Sequence, residues 1–208
     1  MEHKPRTQAQ RTADTRGALI AAARRLWAQG GYAAVGTPEI ATAAGVTRGA
    51  MYHQFADKAD LFAAVLELVE AEVTRRLADR VVASGATDPA AALHAATDAW
   101  LDACEEPEVR QIVLLDGPVV LGWDGFRDVA LRHGLGLTEQ LLRAAMEAGQ
   151  LAPGPTRPLA HVLIGALDEG ALYAALSEDP AAARAEVAAV LHALIDGLLG
   201  GRRSTSAR

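Results

Sequence analysis

At 208 residues, half of them hydrophobic and with a formal net charge of −6, the chain can bury the core of one large domain or two small ones without disulfide staples. Its single cysteine, Cys104, excludes an intramolecular disulfide, and no CxxC or Cys/His cluster suggests a metal site, so a reducing cytoplasm is the expected compartment. The N-terminus is polar and basic without an apolar signal-peptide core, and no run of about 18 apolar residues is evident, which argues against secretion and membrane contact. The charge is unevenly spread. Residues 1–60 carry eight Lys/Arg against five Asp/Glu, and the remainder carries 12 against 21, so a basic module precedes an acidic body and suits a polyanion at one end only.

Alanine and leucine dominate and apolar residues recur at three- and four-residue spacing, which predicts an all-α protein. After a flexible basic arm over 1–13, a first helix is expected from about Asp14 to Gln29, stopped by Gly30-Gly31. Thr37-Pro38-Glu39 reads as a hydroxyl cap, a proline in the first turn and a carboxylate at the positive helix end, opening a short helix to Ala44. Gly45 is the left-handed terminator. Thr47 caps a third helix to about Phe55, and Asp57 caps a long fourth helix running from Lys58 past Arg76. Further helices are predicted near 88–104, 107–115, 124–148, 157–177 and 180–199, with breaks at Gly117-Pro118 and Pro153-Gly154-Pro155 and a flexible tail over 201–208.

Two short helices joined by a glycine turn, within 36–55, have the size and punctuation of a helix-turn-helix. With Ile40, Ala41, Ala44, Val46, Met51 and Phe55 packed inward, Arg48, Gly49, Ala50, Tyr52, His53 and Gln54 lie at or near the outer face of the second helix. Arg48 can donate to guanine and Ala50 can touch a thymine methyl in the major groove. Arginine serves phosphate equally well, so both roles stay open for Arg48. Thr37, Thr47, Tyr52, His53 and Lys58 carry donors suited to phosphate. Glycine inside a helix costs roughly 0.5–1 kcal/mol relative to alanine, so Gly49 calls for a reason, such as close approach to DNA.

The stretch LWAQGGYAAVGTPEIATAAGVTRGAMYHQFADKADLFAAVL resembles the N-terminal signature of the TetR family, through Gly31, Tyr32, Thr37, Ile40, Ala41, Ala44, Gly45, Val46, Gly49, Tyr52, His53, Phe55, Lys58 and Leu61. Pro38-Glu39 and Gln54 depart from its usual residues. The segment VLLDGPVVLGWDGFRDVALRHGLGL also resembles regulatory domains of some members. The resemblance implies a three-helix DNA-binding head over 14–60, followed by a ligand-binding and dimerisation domain over 61–200. It also implies a homodimer built on the last two long helices, double-stranded operator DNA as partner, and a small-molecule effector without a metal or other cofactor.

Within the body, His161, Gly165, Asp168 and Leu172 fall on one helical face. This suits a cavity wall, and equally a satisfied internal pair or a dimer contact. Trp100, Cys104, Trp123, Phe126, His133 and Tyr173 are the other candidate effector residues, each compatible with ordinary core packing. An apolar effector with one cationic or polar group is expected if Asp168 is free, and a neutral one if Asp168 is paired internally. Val187, Val190, Leu191, Leu194, Ile195, Leu198 and Leu199 give the last helix a wide apolar stripe for a two-fold interface. A hydrolase would need a nucleophile elbow, phosphate loop or metal-ligand spacing, and the sequence carries none, so no catalytic residue is assigned. A purely protein-binding helical adaptor would leave the basic helix at 47–55 unexplained.

Overall fold

The alanine- and leucine-rich periodicity resolves into helices throughout residues 7–200, the part of the chain that the computed structural model describes, and no strand occurs among these residues. Helix α1 spans Gln8–Ala34, α2 Thr37–Ala43, α3 Arg48–Gln54, α4 Lys58–Ala83 and α5 Pro89–Glu105. A short α6, Pro107–Val109, leads through a π-helical segment, Arg110–Asp116, into α7 at Gly117–Glu147, followed by α8 at Thr156–Leu176 and α9 at Pro180–Gly200.

Three expectations are corrected at helix ends. The first helix starts at Gln8, not Asp14, because Thr7 and Gln10 cap each other: Gln10 N–H donates to Thr7 Oγ1 at 3.2 Å and Thr7 N–H to Gln10 Oε1 at 2.8 Å. The expected flexible arm is therefore helical from residue 8, while residues 1–6 and the tail at 201–208 lie outside the described residues. Gly36, not Thr37, is the cap of α2, leaving the Thr37 hydroxyl for another partner. Gly117-Pro118 does not break the chain, since Pro118 sits in the first turn of α7, where a missing N–H costs nothing. The break falls instead at Gly122, whose φ of +68° only glycine adopts readily.

One hydrophobic cluster runs unbroken from head to body, from Trp27, Met51, Phe55 and Phe62 to Trp100, Val113 and Phe126. A second occupies the far end around Leu93, Leu142, Leu163 and Ile195. The apolar stripe of α9 divides into two faces. Val187, Leu191 and Ile195 point into the subunit, whereas Val190, Leu194 and Leu198 are 60, 52 and 40% exposed. Helix α8 likewise presents Val162, Tyr173 and Leu176 outward. Among the described residues α8 alone is long and apolar enough to cross a membrane by length and composition, but it packs against α7 and α9.

Candidate DNA-reading head and effector cavity

The head is built on α1 and α4. Trp27, Tyr32 and Phe62 meet at centroid distances of 5.3–5.5 Å and, with Leu19, Ile40, Met51 and Leu61, form its core. The turn between α2 and α3 closes as its residues dictate: Gly45, at φ +68°, donates to Thr42 O at 3.0 Å and Val46 N–H returns to Ala41 O at 3.0 Å. Thr47 Oγ1 then accepts Ala50 N–H at 3.1 Å and starts α3. The far end of α3 is fixed by Arg16, a contact not foreseen from sequence. Its guanidinium donates to Gln54 O at 2.9 Å and lies 4.1 Å over the Phe55 ring.

This framework exposes Thr47, Arg48, Gly49, Tyr52 and His53 together, with Ala50 half-buried among them. A Cβ on Gly49 would meet nothing nearer than Thr47 Oγ1 at 3.9 Å, so no contact inside the subunit requires glycine there. Tyr52 lies 3.4 Å from the Thr37 hydroxyl, and Arg48 stands 5.6 Å over the Tyr52 ring. Hydrogen bonding to Thr37 and then to Arg48 draws the Tyr52 phenol below its ordinary pKa. Thr37 is buried at the α2–α3 seam. Lys58 turns inward. Its Nζ donates to Tyr32 O at 2.5 Å, 3.9 Å over the Tyr32 ring, and burial lowers its pKa against the opposing pull of Asp116.

In the body, α4, α5, α7 and α8 enclose a cavity of about 70 Å³. Of the eight candidate effector residues, Trp100 and Asp168 line it. Cys104 is buried beside a neighbouring hollow, its thiol pushed well up by burial. Phe126 is core, packed where a Cβ on Gly117 would come within 2.9 Å of it. Trp123 and Tyr173 are 63 and 58% exposed. His133 bonds Glu67 at 2.5 Å, its pKa lowered by burial and by Arg132. The backbone carbonyl of His161 accepts from Arg127 at 2.8 Å.

Asp168 is paired internally, its Oδ2 2.9 Å from Arg127 Nη1. Burial pushes its carboxyl up to about 7 despite that guanidinium. Sequence reasoning missed Glu70, which lines the same cavity and is only 4% exposed. Its Oε1 has no hydrogen-bond partner, and burial, with Asp168 adding, pushes its carboxyl up to about 8. The available signal was a lone acid among Leu66, Val69, Val73 and Leu77 at helical spacing. The described residues hold no group of three or more His, Cys, Asp or Glu suited to a metal.

Residues 90–198 match the Tetracyclin repressor-like C-terminal domain, and residues 19–65 match the bacterial regulatory proteins of the tetR family. The chain belongs to the TetR family of transcriptional regulators. It is 34% identical to the transcriptional regulator CymR of Pseudomonas putida over 71% of this chain and 68% of that one. Over 35% of this chain, and 33% of the relative, it is 44% identical to AcrR of Shigella flexneri. A TetR-family regulator from Pectobacterium atrosepticum superposes with TM-score 0.79 at 34% identity, covering 93% of this chain and 98% of that one. RolR, solved with resorcinol, shares the fold at TM-score 0.74 and 22% identity, covering 90% of each chain. TetR-family proteins are DNA-binding regulators and not enzymes.

In this TetR-family chain the head is tied to the body by side chains. Arg24 of α1 grips both Glu108 carboxylate oxygens and Glu72 Oε2, each at 2.7 Å. Asp116, the last residue of the π-helical segment, accepts Tyr32 N–H at 2.8 Å, just past the break at Gly31, where φ is +75°. At the other end of that segment Arg110 donates to Ala175 O of α8 at 2.6 Å. The segment thus touches the break in α1 and the end of α8 at once.

Proposed function

We propose that the protein is a homodimeric cytoplasmic repressor that holds a palindromic operator through paired α3 helices and releases it when a small molecule occupies the cavity. The observation that carries this reading is the continuity of α4. Its first turns place Leu61, Phe62 and Val65 in the head core, and its middle places Glu70, Thr74 and Leu77 on the cavity wall. A ligand that favours one position of α4 over another therefore biases the position of α3, and the coupling is reciprocal. Small-molecule binding by RolR, which was crystallised with resorcinol, is in keeping with it. Joining the exposed faces of α8 and α9 across a two-fold axis sets two recognition helices against half-sites about one helical turn apart.

In this reading Arg48 contacts base edges or phosphate from the first turn of α3, with Thr47, Gly49, Ala50, Tyr52 and His53 against the duplex. Thr37 supports Tyr52. Lys58 holds the α1 break in place and reaches phosphate only if it leaves Tyr32. Arg48→Ala is expected to cost about 1–3 kcal/mol of operator affinity, concentrated at particular base pairs. Lys58→Met is expected to lower the melting temperature while leaving the salt dependence of binding unchanged. Fluorescence anisotropy on an operator selected from genomic fragments, with single-base variants and a salt series, checks both. Equal losses on every duplex for Arg48→Ala would make Arg48 a phosphate contact only. A salt slope reduced by about one for Lys58→Met would restore that lysine to the phosphates.

A further inference from the structure

The cavity between α4, α5, α7 and α8 is chemically lopsided. Most of its wall is aliphatic, from Leu77, Leu93, Leu137, Leu163 and Ile164. Its polar groups include two hydroxyls whose protons are already spent. Thr97 and Thr138 both line it, and each has already given its hydroxyl proton to the backbone carbonyl one turn back, Leu93 O and Gly134 O, both at 3.0 Å. What remains on each is acceptor capacity. Glu70 adds a carboxyl whose Oε1 has no partner. Trp100 adds an aromatic surface and an indole N–H that likewise has no partner. Among the described residues no Lys or Arg lines it, and Arg127, which holds Asp168, is also bonded to the His161 carbonyl.

Resting on the reading of this cavity as the effector site, we propose that it selects a protonated primary or secondary amine on a compact apolar body, with Glu70 as the counter-ion. An ammonium group with two or three N–H donors meets the threonine oxygens and the Glu70 carboxylate, and its charge suits an aromatic neighbour. A quaternary ammonium carries the charge without the donors. An alcohol supplies one donor without the charge, and a carboxylate meets two acids. The cavity volume of about 70 Å³ is about half of the roughly 150 Å³ that holds one benzene ring in an engineered core, so the body is one ring at most and enters only as the surrounding helices move outward.

The protons balance as follows. Glu70, pushed up to about 8, is mostly protonated in the free protein at pH 7. Binding of R–NH₃⁺ converts it to the carboxylate, and its proton leaves to the buffer. The groups bearing on Glu70 are Asp168 of α8, whose own carboxyl burial raises to about 7 against the pull of Arg127 of α7, and the Cys104 thiol of α5, which burial keeps uncharged. Affinity for an amine therefore rises with pH, close to tenfold per unit below about pH 7, and levels off above about pH 8.

The test is calorimetry on the full chain in two buffers of different ionisation heat, using 2-phenylethylamine, its N,N,N-trimethyl derivative, 2-phenylethanol and phenylacetate. The expected result is that the primary amine binds at least about tenfold more tightly than the other three, releases close to one proton at pH 7 and loosens operator DNA. Glu70→Gln, near-isosteric and uncharged, is expected to fold and bind operator normally, while losing the Glu70 share of the pH dependence, with only that of Asp168 left, and about tenfold or more of amine affinity. Alcohol or carboxylate binding as tightly as the amine, equal binding of the trimethyl compound, or no proton release would overturn the amine assignment and leave the cavity reading standing. The cavity-filling variant Ala96→Trp, checked for native melting, separates the two. If none of the probes binds, or if Ala96→Trp leaves their binding unchanged, the cavity reading itself falls.

Discussion

Leu194→Glu is expected to yield a folded monomer whose affinity for a palindromic operator drops by a factor on the order of 10²–10⁴, the advantage lost when two linked half-site contacts become one. Leu194 is 52% exposed on the outer face of α9, with Val190 and Leu198 one turn away on either side. Together with Ala166, Gly170 and Tyr173 of α8 it lines a shallow apolar hollow between the two helices. A contiguous exposed apolar face of this kind is unusual on a monomer and characteristic of an interface. In the proposed dimer a carboxylate at its centre would be buried against the partner subunit's apolar face. Leu191→Glu, one turn's face away and 3% exposed, is expected to unfold the subunit instead, because the charge enters the core. Sedimentation velocity and circular dichroism distinguish the two outcomes. A Leu194→Glu protein that sediments as a dimer would place the two-fold interface elsewhere.

Arg127→Ala is expected to destabilise the subunit by about 3–5 kcal/mol at pH 8, since it strands the Asp168 carboxyl in the interior. Both side chains are about 15% exposed, so solvent cannot substitute for the lost partner. The same change removes the donor to the His161 carbonyl and the cation 6.0 Å from the Trp123 ring. The pH dependence follows in sign from the raised carboxyl. Its value of about 7 in the fold lies above the ordinary 3.8, so the native state binds the proton more tightly than the unfolded chain does. Stability then falls as pH rises between the two values, by up to about 1.4 kcal/mol per unit. Removing Arg127, the one influence that lowers Asp168, extends that window upward. The deficit is therefore smaller at pH 5 than at pH 8, and Asp168→Asn in the same chain recovers part of it. Urea unfolding at the two pH values measures this. An equal loss at both would mean that Arg127 acts through packing alone.

The DNA-reading head was legible because its signals are local. Thr47 before α3, Gly45 in the turn and Asp57 before α4 each act within four residues of their own position, and the structure shows each making the bond expected of it. Helix α2 shows how narrow the margin is. Thr37 has the right chemistry for a cap, yet the chain starts one residue earlier at Gly36, freeing the hydroxyl for Tyr52. The cavity was poorly legible because its determinants are tertiary. Asp168 and Arg127 are 41 positions apart, and nothing in either helix announces that they pair. Trp123 looked like a pocket residue by composition, but the break at Gly122 carries it to the surface. Glu70 was readable in principle as an acid on an apolar face, but such a face is indistinguishable from a solvent-facing stripe until the neighbouring helices are placed.

The winding of Arg110–Asp116 has a further consequence. A π-helical turn closes each hydrogen bond over one residue more than an α-helical turn, so this stretch carries a surplus residue that an α-helix of the same span would omit. It is therefore the place in the body where deletion of a single residue can be taken up by rewinding, with no new loop. Rewinding would rotate Arg110 against Asp116, and these are the residues that bond Ala175 and Tyr32. A one-residue deletion here would thus open no new loop, and would shift the angular phase of α7 and α8 against the break in α1.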